Sequence, residues 1–564
     1  MDTKKQRNRH EAAHGGEAKT TRTFLSGVGV LGIATLLSKV IGLFYRIPLL
    51  SAVGIGGMAY FLAANHIYVT LYLIASAGLP LAVSILVAER IAHDDRAGAK
   101  RVYCVSERMF LAFGVFGAFG LFFGAPVIAA KIGLRGAELS LRVIAPTLCF
   151  SCHSAAIRGY FQGHQRMTET AISEVIESGA KLCFGLGLAY LADALGYDRA
   201  GAAAFATAGL TVGAFLSMLY LVFQKRRFDR AFQKTDSAFF CEGKSEQGTP
   251  LSRLFRIAAP VTLSAVVLSI ASVVDTALIS RRLMDAGFSL GAAETMYSSY
   301  GNLALPLYNL PASLITPVSL ALVPLLSSAF RSGDRIGERT VISAAMRLCA
   351  LLAIPASIGL SVFAEPILSL LYPAQDKAVA IAAPLLSVLA LSVLFSCLMT
   401  VTNAILSAYG HPGKALVSMS IGALLKIVLA YLLVGAPSTN IYGAPLSTFF
   451  CNLAVTSLNL FFVCRSRPGK ESVTSVFGRP LIASIPAMLA SGVLYAALTA
   501  VHTSSTVSVL LSLAVAPIVY LLAAVRTRAL RKEDISALPM GKRLERILFF
   551  KHSKEKNGHP LPEK

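Results

Sequence analysis

Residues 86–111, LVAERIAHDDRAGAKRVYCVSERMFL, read as the end of one apolar segment, a polar basic connection and the start of another. The same order returns at residues 323–351, VPLLSSAFRSGDRIGERTVISAAMRLCAL. Set in register, Arg96 falls on Arg335, Gly98 on Gly337, Lys100 on Arg339 and Arg108 on Arg347. A junction that occurs twice, with long apolar runs on both sides, predicts two repeats of membrane-spanning helices. Further pairs agree in order. Residues 162–182 carry QGHQRMTETAISEVIESGAKL and residues 407–427 carry SAYGHPGKALVSMSIGALLKI, which sets Gly163-His164 on Gly410-His411 and Lys181 near Lys426.

On either side of these junctions the chain resolves into about fourteen apolar segments, each long enough to cross a bilayer. The 564 residues are 55% hydrophobic and 15% charged, against about 25% charged in an ordinary soluble domain. The net charge of +22 sits in the tails and in alternate connections, as membrane orientation requires, and not in the spread that a nucleic-acid binder shows. The fold expected is an all-α polytopic membrane protein: two six-helix lobes in a parallel pseudo-twofold repeat, plus two C-terminal helices. Its parts are a cytoplasmic basic tail (1–22), an N-terminal lobe (23–224), a cytoplasmic linker (225–253), a C-terminal lobe (254–464), two extra helices (480–526) and a second cytoplasmic basic tail (527–564). The basic connections 90–108, 163–169, 225–256, 331–339 and 465–470 fall on the inner side. Those at 51–57, 132–138, 192–201, 281–294, 372–377, 435–440 and 502–506 are short, carry few bases and fall outside. Six spans per repeat give both lobes the same orientation, related by an axis along the membrane normal.

Polar residues inside the spans carry whatever chemistry there is, because a charge at mid-membrane costs roughly 2.5–3.5 kcal/mol and faces a cavity or a partner. Lys39 and Arg46 lie two turns apart on one face of span 1, a cationic face suited to an anion such as pyrophosphate. The rival reading is that Arg46 snorkels to water. Asn65, Arg158 and Asn309 complete the candidate substrate-binding set. Glu177 and Lys181 stand at the spacing of a helical ion pair, either structural or part of a coupling site. Asp275, deep in span 7, would pair with Arg46 across the lobes or hold a cation. Pro80 in span 2 and Pro306, Pro311 and Pro317 in span 8 predict helix breaks that suit gates.

The nine cysteines are scattered and read as small apolar packing residues, and no metal site is indicated. No phosphate-binding loop, zinc motif, nucleophile elbow or dinucleotide fingerprint occurs, so neither a catalytic residue nor a bound cofactor is expected, and Na+ or H+ coupling stays open.

Three stretches carry a family resemblance: LSKVIGLFYRIPLL (37–50), ASAGLPLAVSILVAE (75–89) and IRGYFQGHQRMTETAISEVIES (157–178). With the two-lobe plan they resemble the multidrug/oligosaccharidyl-lipid/polysaccharide exporter superfamily, and within it the MurJ-type lipid II flippases and their sporulation-type relatives. The resemblance implies a flippase in the bacterial inner membrane with both termini cytoplasmic. It would move an undecaprenyl-pyrophosphate-linked glycan, lipid II foremost, by alternating access around a cationic cavity between the lobes. Arg46 matches the family's span 1 arginine. The spans at 480–526 would form a groove for the lipid tail. Two further arginines of the family are absent, since Tyr72 and Pro306 stand near their positions. The partners implied are the lipid-linked oligosaccharide and the bilayer, with the protein a monomer or associated with cell-wall synthesis proteins. The rival class is a cation-coupled exporter of drugs or metabolites on the same scaffold. A membrane glycosyltransferase would want a large outer loop with carboxylates, which the sequence lacks, and an accessory scaffold without transport is the remaining class.

Overall fold

The computed structural model describes residues 34–529, apart from 36, 39, 40, 43, 75–77, 93–94, 234–249, 467–473, 502–503 and 528. Both tails, most of the linker and Lys39 lie outside the described residues. Among those described, the chain is helical throughout, with no strand. The helices are α1 (44–74), α2 (Leu79–Ala92), α3 (Arg96–Ile132), α4 (Glu138–Gly163), α5 (Met167–Ala194), α6 (Arg199–Gln233), α7 (Pro250–Asp285), α8 (Leu290–Ser298), α9 (Leu305–Ser332), α10 (Arg335–Val362), α11 (Ala364–Leu371), α12 (Asp376–Leu391), α13 (Val393–Ala408), α14 (Pro412–Val434), α15 (Gly443–Ser466), α16 (Arg479–Ala500) and α17 (Ser505–Arg526). Ten helices are long and apolar enough to span a membrane, or eleven if the bent pair α12–α13 is one span. One of the ten is the 48-residue stretch Phe44–Ile91. At 1.5 Å per residue that is more than twice the ~30 Å hydrocarbon core. It turns at Gly54, whose φ of +72° is a left-handed conformation open to glycine, and it breaks again at Gly78.

The duplicated junction has one structural meaning in both places. Asp95 caps α3 by accepting from the Gly98 N–H at 2.7 Å, and Asp334 caps α10 by accepting from the Gly337 N–H at 2.9 Å. Glycine at the third position gives the capping carboxylate room, because a Cβ there would stand 2.1 Å from the Asp95 carboxylate or 2.2 Å from that of Asp334 and would push it aside. Asp95 lies outside the spans. The Gly98 N–H above all, and then Arg90 at 2.8 Å, hold its carboxyl below the usual carboxylate range.

Small residues bring the helices together, as lipid-embedded packing demands. A Cβ on Gly209 of α6 would meet the Gly185 Cα of α5 at 2.2 Å. One on Gly159 of α4 would meet the Pro80 carbonyl at the start of α2 at 2.8 Å. In the first half α3 packs on α4, α5 on α6 and α4 on α6; in the second, α14 packs on α15 and α13 on α9 and α15. The pair α16–α17 lies against α10 and α11. The lobes meet where α7 packs on α2 and α3, and where α8 and the turn after it face α1.

Polar contacts gather several connections at one end of the molecule, here named the Gly54 end. Tyr60 donates to Glu294 at 2.8 Å, Arg281 to the Ala130 carbonyl at 3.3 Å, and Arg282 to the Tyr431 carbonyl at 3.2 Å. Gly136 lies against the Tyr60 ring, and Gly56 lies against Arg199. These segments include four of the connections assigned to the outer side, so helix after helix returns to the same face.

Two helix breaks differ from expectation. A proline two residues after Arg46 would be expected to distort span 1 there, but helical structure runs through Pro48, and the turn comes at Gly54 instead. In span 8 the interruption precedes the prolines. Residues Ser299–Ala304 form a π-helical turn, and α9 then continues through Pro311 and Pro317 without a break. Pro306 lies in the first turn of α9, where a missing N–H is tolerated.

Candidate functional site

Arg46 lies in α1, eight residues before the turn at Gly54, and is half-buried at the junction of the lobes. Its Nη1 donates to the Gly301 carbonyl at 3.2 Å. The local sequence explains why that carbonyl is free. In an α-helix it would accept from Leu305, but the Leu305 N–H bonds five residues back, to Tyr300. The donor in the π register would be residue 306, a proline without an N–H. Gly301 also seats Leu62 of α1, whose Cδ2 would stand 2.1 Å from a Cβ there. Beside it, Asn302 donates to the Met58 carbonyl at 3.0 Å and to the Ser298 hydroxyl at 3.1 Å. Tyr45, Tyr372 and His66 are close enough to share Arg46's electrostatic field.

Arg46 differs from Arg158 and Lys426. Among the described residues it has no carboxylate within ion-pair distance. Arg158 of α4 donates to Glu177 of α5 at 2.9 Å, to Ser173 at 3.0 Å and to Ser217 at 3.1 Å. These contacts direct its Nε and Nη2 into the N-terminal lobe. Glu177 is met by this guanidinium from the neighbouring helix, and the Lys181 Nζ lies 5.3 Å from the centre of the Tyr45 ring.

Asp275 does not pair with Arg46. Its Oδ2 lies 2.5 Å from the Lys426 Nζ of α14, and both side chains are buried. The acid and base therefore neutralise each other inside the C-terminal lobe, while among the described residues the Asp275 Oδ1 has no hydrogen-bond partner. Next to it, the Thr276 hydroxyl accepts from Tyr297 at 2.9 Å, donates to the Ser272 carbonyl at 2.9 Å, and stands 2.9 Å from the His66 Nδ1 of α1. With its one proton given to Ser272, Thr276 can only accept from His66, which makes the Nδ1–H tautomer the consistent one. Thr70 of α1 meets the Ser269 hydroxyl at 2.7 Å, and the Gly78 N–H donates to Thr262 at 3.0 Å. Span 2 is thus stitched to α7 along its length.

The remaining candidates scatter. Asn65 is half-buried one residue before His66, and Asn309 is exposed on α9. Pro80 is the second residue of α2, just past the break at Gly78. Pro317 lies within α9. Residues 35 and 38, next to Lys39, meet α5: Thr35 donates to the Glu174 carboxylate at 2.9 Å, and Ser38 to the Glu174 carbonyl at 3.3 Å. Gly301, Tyr60 and Glu294 emerge only from the structure, whereas His66 and Asn302 were visible as polar residues inside the spans and only their partners were not. A histidine inside a span was a visible signal; a glycine carbonyl left free by a proline five residues on was not.

Two helical lobes stitched together along α2 and α7, with a cation at their junction and a further helix pair on one side, define a two-lobed membrane transporter. The family model for the lipid II flippase MurJ matches residues 141–515. The chain belongs to that family, and with it to the multidrug/oligosaccharidyl-lipid/polysaccharide exporter superfamily. It is 28% identical to the lipid II flippase MurJ of Bacillus subtilis over 421 residues, which cover 72% of this chain and 76% of that one. With the stage V sporulation protein B of the same organism it shares 28% identity over 454 residues, 79% of this chain and 85% of that one. In fold it is similar to a lipid II flippase MurJ solved in an inward closed conformation: TM-score 0.64 at 18% identity, covering 88% of this chain and 98% of that one. It is an integral protein of the inner membrane.

Proposed function

We propose that the chain flips a polyprenyl-pyrophosphate-linked glycan, lipid II foremost, across the inner membrane by alternating access of its two lobes. The observation that supports this most is Arg46: a cation at the lobe junction, bonded to a neutral carbonyl and not to an acid, with donors to spare for a phosphate. Lys39 and Asn65 would extend the headgroup site. A cavity of about 420 Å³ lined by Ile354, Ile358, Leu391, Leu394, Phe477 and Leu481 lies between α10, the α12–α13 bend and the start of α16. It is apolar and suits a segment of the lipid chain. Dividing residues 44–91 at Gly54, and adding α7 and the α8–α9 run as spans, gives about fourteen crossings. Both termini are then inside and the Gly54 end faces outward.

The membrane potential supports this cycle as its drive, worth about 2.3 kcal/mol per charge per 100 mV. Asp275 already holds a tethered ammonium, so a coupling Na+ or H+ would have to displace Lys426. In cells depleted of their own lipid II flippase, this chain is expected to restore lipid II exposure on the outer leaflet. Arg46→Ala is expected to lose that rescue at unchanged membrane abundance. Full rescue by Arg46→Ala would remove Arg46 from the site; failure of the parent chain together with efflux of cationic dyes would favour the drug-export class.

A further inference from the structure

We propose that the π-turn of span 8 is a clasp that holds the lobes together at the Gly54 end, and that the anionic headgroup opens it by competing for Arg46. The inference rests on the reading of Arg46 as a headgroup ligand and adds how binding is converted into motion. Three N-terminal-lobe groups seat on two residues of the turn: the Arg46 guanidinium on the Gly301 carbonyl, the Leu62 side chain on the Gly301 Cα, and the Met58 carbonyl on the Asn302 amide. The seat exists because of the sequence of the turn. The shift to π hydrogen bonding and the missing N–H of Pro306 leave the Gly301 carbonyl without its usual donors, and the absent side chain of Gly301 lets Leu62 sit against it, where a Cβ would push the Leu62 methyl aside. A π-turn inside a long helix is a costly local choice, and such turns concentrate at functional positions.

The competition is one-sided. A guanidinium bonds one carbonyl oxygen through one N–H, whereas a phosphate offers paired anionic oxygens and a bidentate fit. Bound to pyrophosphate, Arg46 leaves Gly301. The anion therefore binds better to molecules in which the clasp is open, and its binding draws the population toward them by that difference in affinity. The Met58–Asn302 and Tyr60–Glu294 contacts part with the lobes and re-form to close the end once the headgroup has left.

The test uses the full chain in detergent, with its native cysteines replaced and spin labels at Leu195→Cys and Leu290→Cys. Both positions are exposed, one on each lobe, at the Gly54 end. Distances are read by pulsed electron paramagnetic resonance without and with inorganic pyrophosphate, whose affinity is measured separately by calorimetry. The parent chain is expected to show one short distance that lengthens with pyrophosphate. Pro306→Ala restores a backbone N–H for the Gly301 carbonyl and leaves Arg46 intact. It is expected to lengthen the distance before any anion is added and to bind pyrophosphate about fivefold more tightly, the worth of roughly one net hydrogen bond. Arg46→Ala is expected to open without anion and to bind none. If Arg46→Ala abolishes binding while neither variant nor pyrophosphate moves the distance, the clasp is refuted and the ligand reading stands. If Arg46→Ala binds pyrophosphate like the parent, the ligand reading fails, and the clasp falls with it.

Discussion

At the scale of single residues, the lesson is how many intramembrane charges are already spoken for. Arg158 is held by Glu177, and Lys426 by Asp275, each within one lobe. Removing one member of a buried pair strands the other in low dielectric, at about 3–5 kcal/mol, whereas replacing both by neutral groups costs far less. Asp275→Asn and Lys426→Met are therefore each expected to lower thermal stability in detergent more than the double variant does. Strictly additive losses in that cycle would show that the two side chains do not act as a pair. Arg46 escapes this pattern because its partner is a backbone dipole.

At the scale of the helix, the two Asp-Arg-x-Gly junctions act as N-caps, each worth about 1 kcal/mol to its helix. Asp95→Ala is expected to speed amide exchange over residues 96–100, and Asp334→Ala over 335–339, by similar factors in hydrogen-exchange mass spectrometry. An effect at one site only would break the equivalence of the repeats. The pH dependence has a definite sign. The Asp95 carboxyl sits below its unfolded value of about 3.9, so the cap contributes fully above that value and is lost as pH falls through the depressed one. The α3 start should therefore stay protected at pH 5 and fray only at stronger acidity. The same scale explains the corrected break in span 8. A proline within the first turn of a helix disturbs little by itself, and its effect is felt upstream, where the carbonyls it cannot serve must find other donors.

At the scale of the whole molecule, the gathering of connections at the Gly54 end fixes which helix ends share a face, and the basic connections predict which face is inside. Leu195 at the Gly54 end and Ile336 beside the Asp334 cap are both exposed. In intact cells, a membrane-impermeant thiol reagent is expected to label Leu195→Cys and spare Ile336→Cys. The reverse pattern would invert the assigned topology. The polar seams between the lobes, from Tyr60–Glu294 to Gly78–Thr262, run along span 2, which makes that span the axis on which the lobes would rock.

Helical class, membrane residence and the twice-used Asp-capped junction were all legible in the sequence, because apolar length and the spacing of Asp95 and Asp334 from their glycines are local properties. So was the short list of polar residues inside the spans. Which of those residues meet was not legible. Glu177 has Lys181 one turn away on its own helix yet takes Arg158 from another, and Asp275 takes Lys426 across the lobe where Arg46 was expected. Pairing of buried charges is decided by which helices touch and how closely their small residues let them approach. That depends on packing between segments far apart in the chain, and only the tertiary structure supplies it.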